Sequence, residues 1–502
     1  MRIRTDPTRS LRPTGPAVGG LATLFICILA GGCAAPSRFP PPIQTYTMCG
    51  QTVWEFDATG DGLIDYRQYE NSQGRKQKLG FVTPSNAREQ EVDLDEVPGQ
   101  SCPHFIIALD GVPFEVVQQL YDHGSFRLFH PPARVICGYP AMTDLALADV
   151  FHSGRCVAYQ ALYFDRTANR FSDGDAVYLS GRNSPWERQM AYRCSTWWDA
   201  LVYLNPQIVF DHELRHIAET FRGAQAAPVL SAYSVGSAGL GTRLGRPGIE
   251  AYLRRIDELC ERIVYERRGA VKITLLADHG HNLVENRLIS FDDVLRAGGY
   301  RPAKSLHEPR DVVTVSYGLV TYAELFTSDP AGVAACLLQH PDVEFACYPD
   351  NDGVVVRDRD GSAWLTQRDQ GYIYEVRESD PLHLLPVIEQ LRQAGQVAPD
   401  GVIDEAALFA ATIDQEYPDP LARLWRAFHG IVENSPDLIV NLRDGACHGW
   451  HFFYAMIGKV ASTHGSLNRM NSTTFVMTML GDLPPAMRSA DVMPNLERLR
   501  GD

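Results

Sequence analysis

Nowhere in its 502 residues does the chain carry a Cys-x-x-Cys pair, so the common signature of a structural zinc ribbon is missing. It also lacks an excess of positive charge. A formal charge of -15 argues against a nucleic-acid partner, because phosphate backbones select basic surfaces. A small anionic substrate stays open, since a buried cation can reverse the local field of an acidic protein. Beyond the N-terminal segment, no run is long and apolar enough to supply the ~20 residues that crossing a bilayer takes. What is plentiful is core-forming material: 45% hydrophobic against 21% charged residues allows a large domain without special staples.

The N-terminus reads as an address. Arg2, Arg4, Arg9 and Arg12 precede an apolar run from Leu21 to Leu29, which breaks into Ala30-Gly31-Gly32-Cys33. Basic residues, a short apolar core and small residues before a cut describe a secretory signal. The cysteine placed there resembles a bacterial lipobox, with residues 1–32 removed and Cys33 lipidated. Ala30 stands where such a box usually has leucine. A proline-rich tether over 33–48 would then space the protein from a membrane of the cell envelope. Of the eleven cysteines, removing Cys27 with the signal and Cys33 to lipid leaves nine, an odd number. Export permits disulfides, and Cys336 with Cys347 is one candidate pair.

Residues 49–97 read as a small β-hairpin module. Within it, Asp57, Thr59, Asp61 and Asp65 alternate around glycines, and oxygens in that pattern can wrap calcium. Gln68 stands where a bidentate glutamate would close such a loop, so an Asp/Gly-rich hairpin turn is the alternative.

From about residue 100 to 502, strand and helix patterns alternate. Strands are expected at Phe105–Leu109, Val229–Val235 and Val271–Leu276, and helices at Phe114–Tyr121 and Ile249–Arg267. That alternation predicts an α/β fold, a mostly parallel central sheet flanked by helices. Around 300–430 the pattern changes to short antiparallel strands (near Val354, Ala363 and Tyr372) with helices at Leu382–Ala394 and Leu421–Phe428, which suggests an inserted cap. Asp437–Asn441 reads as a further core strand.

Three pieces far apart in the chain carry the chemistry: Ile-Ile-Ala-Leu-Asp110-Gly, Leu-Leu-Ala-Asp278-His279-Gly280-His281 and Ser-Thr-His464-Gly465. Two of them are apolar runs ending in an acidic residue, as expected where a buried parallel strand delivers a side chain to the carboxyl edge of a sheet. Asp-His-Gly at such an edge offers an oxygen ligand, an imidazole and room for close backbone passage. Oxygen and nitrogen donors together suit zinc or manganese.

With Tyr139-Pro140-Ala-Met-Thr143 and the closing Ala490-Asp491-Val-Met-Pro494, these pieces resemble the alkaline phosphatase superfamily, nearest its type I phosphodiesterase/nucleotide pyrophosphatase branch. The resemblance covers about residue 102 to the end. It implies an alkaline-phosphatase-like fold and one or two divalent ions, most simply zinc. Asp110, Thr143, Asp278, His279 and His464 would be metal ligands, and Thr143 also the nucleophile attacking a small phosphate mono- or diester. One part departs from the family. After the Tyr233 strand an Asp-x-x-x-His pair should complete a second metal, and here those positions hold Gly236 and Leu240. His281, His448 and His451 are candidate substitute ligands. The incomplete second site leaves an alternative: a catalytically impaired relative that binds a ligand at the envelope. Cys137-Gly-Tyr-Pro lacks the Cys-x-Pro-x-Arg pattern that would mature a sulfatase formylglycine.

A third reading comes from His212-Glu213-Leu-Arg-His216, which spells the H-E-x-x-H motif of zinc proteases. Phe210, Leu214, Ile217 and Phe221 mark the apolar face of that helix, and both histidines lie roughly opposite it. No third ligand follows at the usual distance, which disfavours this reading.

Overall fold

His104–Leu109 is buried at every position, and its side chains alternate between two cores. Phe105, Ile107 and Leu109 face one cluster with Phe210, Phe221, Ile249 and Tyr252, while Ile106 and Ala108 face another with Leu147, Val150 and Leu496. A strand with period-two side chains that is apolar on both faces belongs inside a sheet covered by helices on both sides. The computed structural model describes residues 38–83, 86–172, 184–224, 228–369 and 371–501. The expected signal segment, Cys33 and the first part of the tether lie outside them.

Among the described residues, seven strands form the central sheet, in the order Met190–Tyr192, Val229–Ser234, His104–Leu109, Lys272–Ala277, Thr473–Thr478, Ala133–Ile136, Ala486–Arg488. Thr473–Thr478 runs antiparallel to both neighbours, and the remaining pairings are parallel. Leu109 pairs with Ala277 and with Ser234, so three strands end level with one another. Thr473 pairs with Ile136, which brings the start of the antiparallel strand to the same edge. The expected mostly parallel sheet with flanking helices is therefore present, and helix Arg246–Glu266 covers one of its faces.

A second sheet of nine strands, from Arg301–Pro302 to Ile403–Asp404, makes up the cap region and is mainly antiparallel. Leu438–Leu442 belongs to this sheet, between Tyr322–Thr327 and Val343–Asp350, and not to the central one. An apolar run alone could not say which sheet would bury it. The helix expected from Leu382 starts later, at Leu385, with Pro386 in its first turn. Cys336 and Cys347 do not pair: one thiol lies 3.1 Å from the Val294 carbonyl and the other 3.6 Å from that of Ile439. They belong to different apolar clusters, which separates two residues that look close in sequence.

The N-terminal module is a five-stranded antiparallel sheet, Gln44–Asp93. Its first strand uses residues 44–48, assigned to the tether from sequence. Phe39, Phe56, Tyr66 and Phe81 pack around Tyr265 near the end of helix Arg246–Glu266, and Lys76 Nζ lies 2.8 Å from Glu261. Lys272 Nζ donates to the Leu94 carbonyl at 2.5 Å. Lys272 opens its strand, so this module meets the sheet at the edge opposite Asp278.

Candidate metal centre

At the shared edge, Leu109 is followed by Asp110 and Ala277 by Asp278. The loop after Ala133–Ile136 leads into helix Thr143–Val150, whose first residue is Thr143. His464 comes from the loop entering the antiparallel strand. Its carbonyl accepts from Thr321 N at 2.8 Å, and Ser466 N donates to Thr321 Oγ1 at 2.8 Å, so the cap sheet fixes that loop.

Each carboxylate here has one oxygen occupied and one bare. Asp110 Oδ2 accepts the Tyr233 hydroxyl at 2.5 Å, while Oδ1 has no hydrogen-bond partner. Asp278 Oδ1 accepts from the amides of Gly111 at 2.8 Å and His279 at 2.7 Å, and Oδ2 is unpartnered. His279 Nδ1 lies 2.9 Å from the Gly280 carbonyl, which can only accept, so the proton sits on Nδ1 and Nε2 presents a lone pair. That Nε2 is 3.7 Å from Asp110 Oδ1, 3.4 Å from Asp278 Oδ2 and 3.2 Å from Thr143 Oγ1. Asp110, Asp278 and His279 are the only three such ligating groups among the described residues to gather this closely, within 4.8 Å of one another.

Bare lone pairs facing each other in a buried site are costly unless a cation lies between them. A tetrahedral ion with bonds of about 2.0–2.1 Å holds its ligand atoms about 3.4 Å apart. The distances of 3.2–3.7 Å from Nε2 bracket that edge. The residues therefore fit a four-coordinate divalent ion.

Burial drives the electrostatics. It pushes the Asp110 carboxyl well above its usual range, the neighbouring Asp278 charge adding to this. Asp278 is raised by burial to about 7, offset in part by the Gly111 and His279 amides and the Thr143 hydroxyl. His279 is lowered to about 4 by burial, so it stays neutral and able to ligate. Gly280 lets the chain pass: a Cβ there would lie 1.9 Å from the Met470 carbonyl. Gly280→Ala is expected to cost roughly 1–3 kcal/mol of stability through this overlap and to lower bound metal, as read by thermal unfolding and elemental analysis.

The structure thus brings together Asp110, Thr143, Asp278 and His279. His464 stacks on His279 at 3.9 Å between ring centroids, with Nδ1 2.8 Å from the Ala141 carbonyl. His281 is buried beside them. His448 instead packs on Phe291 with its Nε2 2.9 Å from Ser316 Oγ, and His451 is exposed, so neither serves as a substitute ligand at this centre.

Gly236 and Leu240 are not lining a metal site. Leu240 sits in the core, and a Cβ on Gly236 would come 2.9 Å from Glu213 Oε2. The Glu213 carboxylate accepts from Ser234 Oγ at 2.7 Å and from the amides of Val235 and Gly236 at 2.9 Å. The glutamate of the H-E-x-x-H motif is therefore a buried anchor for the end of the Tyr233 strand. His212 and His216 point elsewhere, half-buried, with His212 stacked on Trp198 at 4.1 Å and His216 Nδ1 3.1 Å from Glu219. Sequence reasoning found Tyr233 only as a marker of its strand and missed its bond to Asp110. Its register opposite Ala108, one residue short of the strand end, was the available signal.

The loop suspected of holding calcium is tied up by its own backbone. Asp57 accepts amides from Gly60 at 2.5 Å, Asp61 at 3.1 Å and Gly62 at 2.7 Å, and Asp65 accepts those of Ala58 and Thr59 at 2.9 Å. Asp61 Oδ1 receives Leu63 N at 2.9 Å, and Thr59 Oγ1 turns toward Asp57 at 3.5 Å. The amides shape a tight turn around both carboxylates, and Asp57 is held below the usual range mainly by the Gly62 amide.

No family model matches the sequence, and no curated protein matches it. Similar solved structures include a murine and a human ectonucleotide pyrophosphatase/phosphodiesterase 5 and a phosphonoacetate hydrolase from Sinorhizobium meliloti, the last in complex with phosphonoformate. The murine structure has a TM-score of 0.42 and 11% identity, covering 79% of this chain and 94% of its own. The human one has 0.43 and 12%, with the same coverage, 79% and 94%. The hydrolase has 0.42 and 12%, covering 84% and 100%. Scores of this size carry no functional inference, so what the site can do has to follow from its own atoms.

Proposed function

We propose that the protein is a metal-dependent hydrolase of phosphate mono- or diesters, similar to the phosphodiesterase/nucleotide pyrophosphatase branch of the alkaline phosphatase superfamily. The observation that carries this is the convergence of Asp110 Oδ1, Asp278 Oδ2 and Thr143 Oγ1 on His279 Nε2 at 3.2–3.7 Å. Zinc suits the donor set best, two carboxylates and an imidazole. When bound, the ion would supply positive charge that lowers the hydroxyl pKa and balances the phosphate.

The chain's own groups do the rest. Asp110 and Asp278 hold the site, Tyr233 and the Gly111 and His279 amides aim their carboxylates, and Thr143 Oγ1 is the nucleophile. Met142 precedes helix Thr143–Val150 with no side-chain cap on the helix start. Its first amides therefore remain able to receive phosphoryl oxygens, where the helix end favours negative charge. The Thr143 oxygen gives up its proton and forms a bond to phosphorus as the ester P–O bond breaks, and the leaving alkoxide takes up the proton that Thr143 released. Water then cleaves the phospho-threonine and restores the hydroxyl.

The impaired-relative reading draws on one observation: Gly236 and Leu240 offer no ligand atom, Leu240 being packed in the core and a Cβ on Gly236 meeting Glu213 Oε2 at 2.9 Å. Slow turnover is the consequence we expect. Hydrolysis of an aryl phosphodiester by purified, zinc-loaded protein tests the proposal, and absence of any bound transition metal would end it.

We place the protein at the cell envelope, held by lipid on Cys33. Cys33→Ser is expected to move it from the membrane fraction to the soluble fraction of fractionated cells, and unchanged retention would contradict the anchor.

A further inference from the structure

His281 is shaped like a ligand without belonging to the centre described above. Its ring is fully buried, with Nδ1 3.0 Å from Ser462 Oγ. That hydroxyl already accepts from Leu283 N at 2.9 Å and has Asn282 Oδ1 as its own acceptor at 3.4 Å. With the hydroxyl proton directed to Asn282, the Ser462 oxygen receives the Nδ1 proton of His281. His281 Nε2 is thus a bare lone pair, buried and without a donor. Such a group is costly to keep. His464 is in the same tautomer, because Nδ1 faces the Ala141 carbonyl at 2.8 Å. The two rings lie 5.4 Å apart by centroid, and His281 lies 6.2 Å from His279.

The backbone makes room for this ring. Gly111 has φ +65°, and a Cβ there would fall 2.5 Å from His281 Nε2 and Cδ2. A Cβ on Gly241 would fall 3.4 Å from its Cε1. A larger residue at position 111 would displace the imidazole.

We propose that His281 and His464 hold a second divalent cation through their Nε2 atoms. The inference rests on the hydrolase reading of the first centre. It assigns to His281 a ligand role in place of the pair absent at Gly236 and Leu240. Two imidazoles leave the other coordination positions for water or a substrate oxygen. Imidazole donors suit zinc, copper, iron or nickel.

The test uses the full chain, stripped with chelator and reloaded with zinc or cobalt. Two equivalents of zinc per chain are expected by elemental analysis. His281→Ala should weaken the second equivalent by at least about 10–100-fold, leaving the first intact. Unchanged stoichiometry and affinity in that variant overturn the proposal. Should the variant fail to fold, the cobalt-loaded wild type decides by proton NMR: three contact-shifted, exchangeable imidazole N–H signals support it, and two or fewer overturn it. A single ion lost in Asp278→Asn but indifferent to His281→Ala removes this second site while leaving the hydrolase reading standing. No ion at all removes both.

Discussion

Thr143→Ala is expected to reduce phosphodiester hydrolysis by about 10⁴–10⁶-fold, the scale seen when a covalent nucleophile is deleted. The size of the effect follows from position. Thr143 Oγ1 lies 3.2 Å from His279 Nε2, so it is aimed at the ligand atoms. Its threonine methyl group does little, and Thr143→Ser should recover much of the rate. The Ala variant keeps Asp110, Asp278 and His279, so it should still bind metal. That split separates loss of the nucleophile from collapse of the site. Rapid quenching of the wild type should trap phosphate on Thr143, detectable by peptide mass spectrometry. Equal activity in the Ala variant would remove Thr143 from this role.

The strands that carry this chemistry were legible because fully buried strands leave continuous apolar runs. Ile-Ile-Ala-Leu-Asp110 and Leu-Leu-Ala-Asp278 announce both the strand and the edge where it ends. The gathering of His464 was not readable from such a run, because it depends on Thr321 of the cap sheet gripping a loop. Leu438–Leu442 misled for the related reason that burial by either sheet produces the same apolar pattern. The Asp57–Asp65 loop reads two ways from sequence because Asp and Gly serve both ion binding and Asx-type turns, and the amide bonds to Asp57 and Asp65 show the turn. Glu213 sits in a motif that suggests a zinc protease, yet its carboxylate turns inward to secure Val235 and Gly236. Sequence showed the donors of the first centre, while their supporting bonds needed three dimensions.

The metal-free protein should lose stability as pH rises from about 4 to 7, and Asp278 should account for a definable part of that loss. Burial raises the Asp278 carboxyl from 3.8 in the open chain to about 7 in the fold. Below pH 4 both states are protonated and the residue contributes no penalty. Between the two values the unfolded chain releases its proton while the folded one retains it, so rising pH favours unfolding. Above pH 7 the penalty is constant, at roughly 4 kcal/mol for a shift of this size. In chelator, wild type should therefore fall relative to Asp278→Asn across this window by thermal or urea unfolding. A parallel pair of stability curves would show that the carboxyl is not raised. Zinc inverts the comparison, because the ion replaces the protons on Asp278 and Asp110, which is also raised by burial. Zinc affinity should climb by up to about 10-fold per pH unit below 7 through the Asp278 proton, and more steeply wherever Asp110 also carries a proton to be displaced. Asp278→Asn should bind far more weakly and show a shallower slope, since one titrating ligand is gone. Affinity that ignores pH over this range would mean that the ion is held elsewhere than between these two carboxylates.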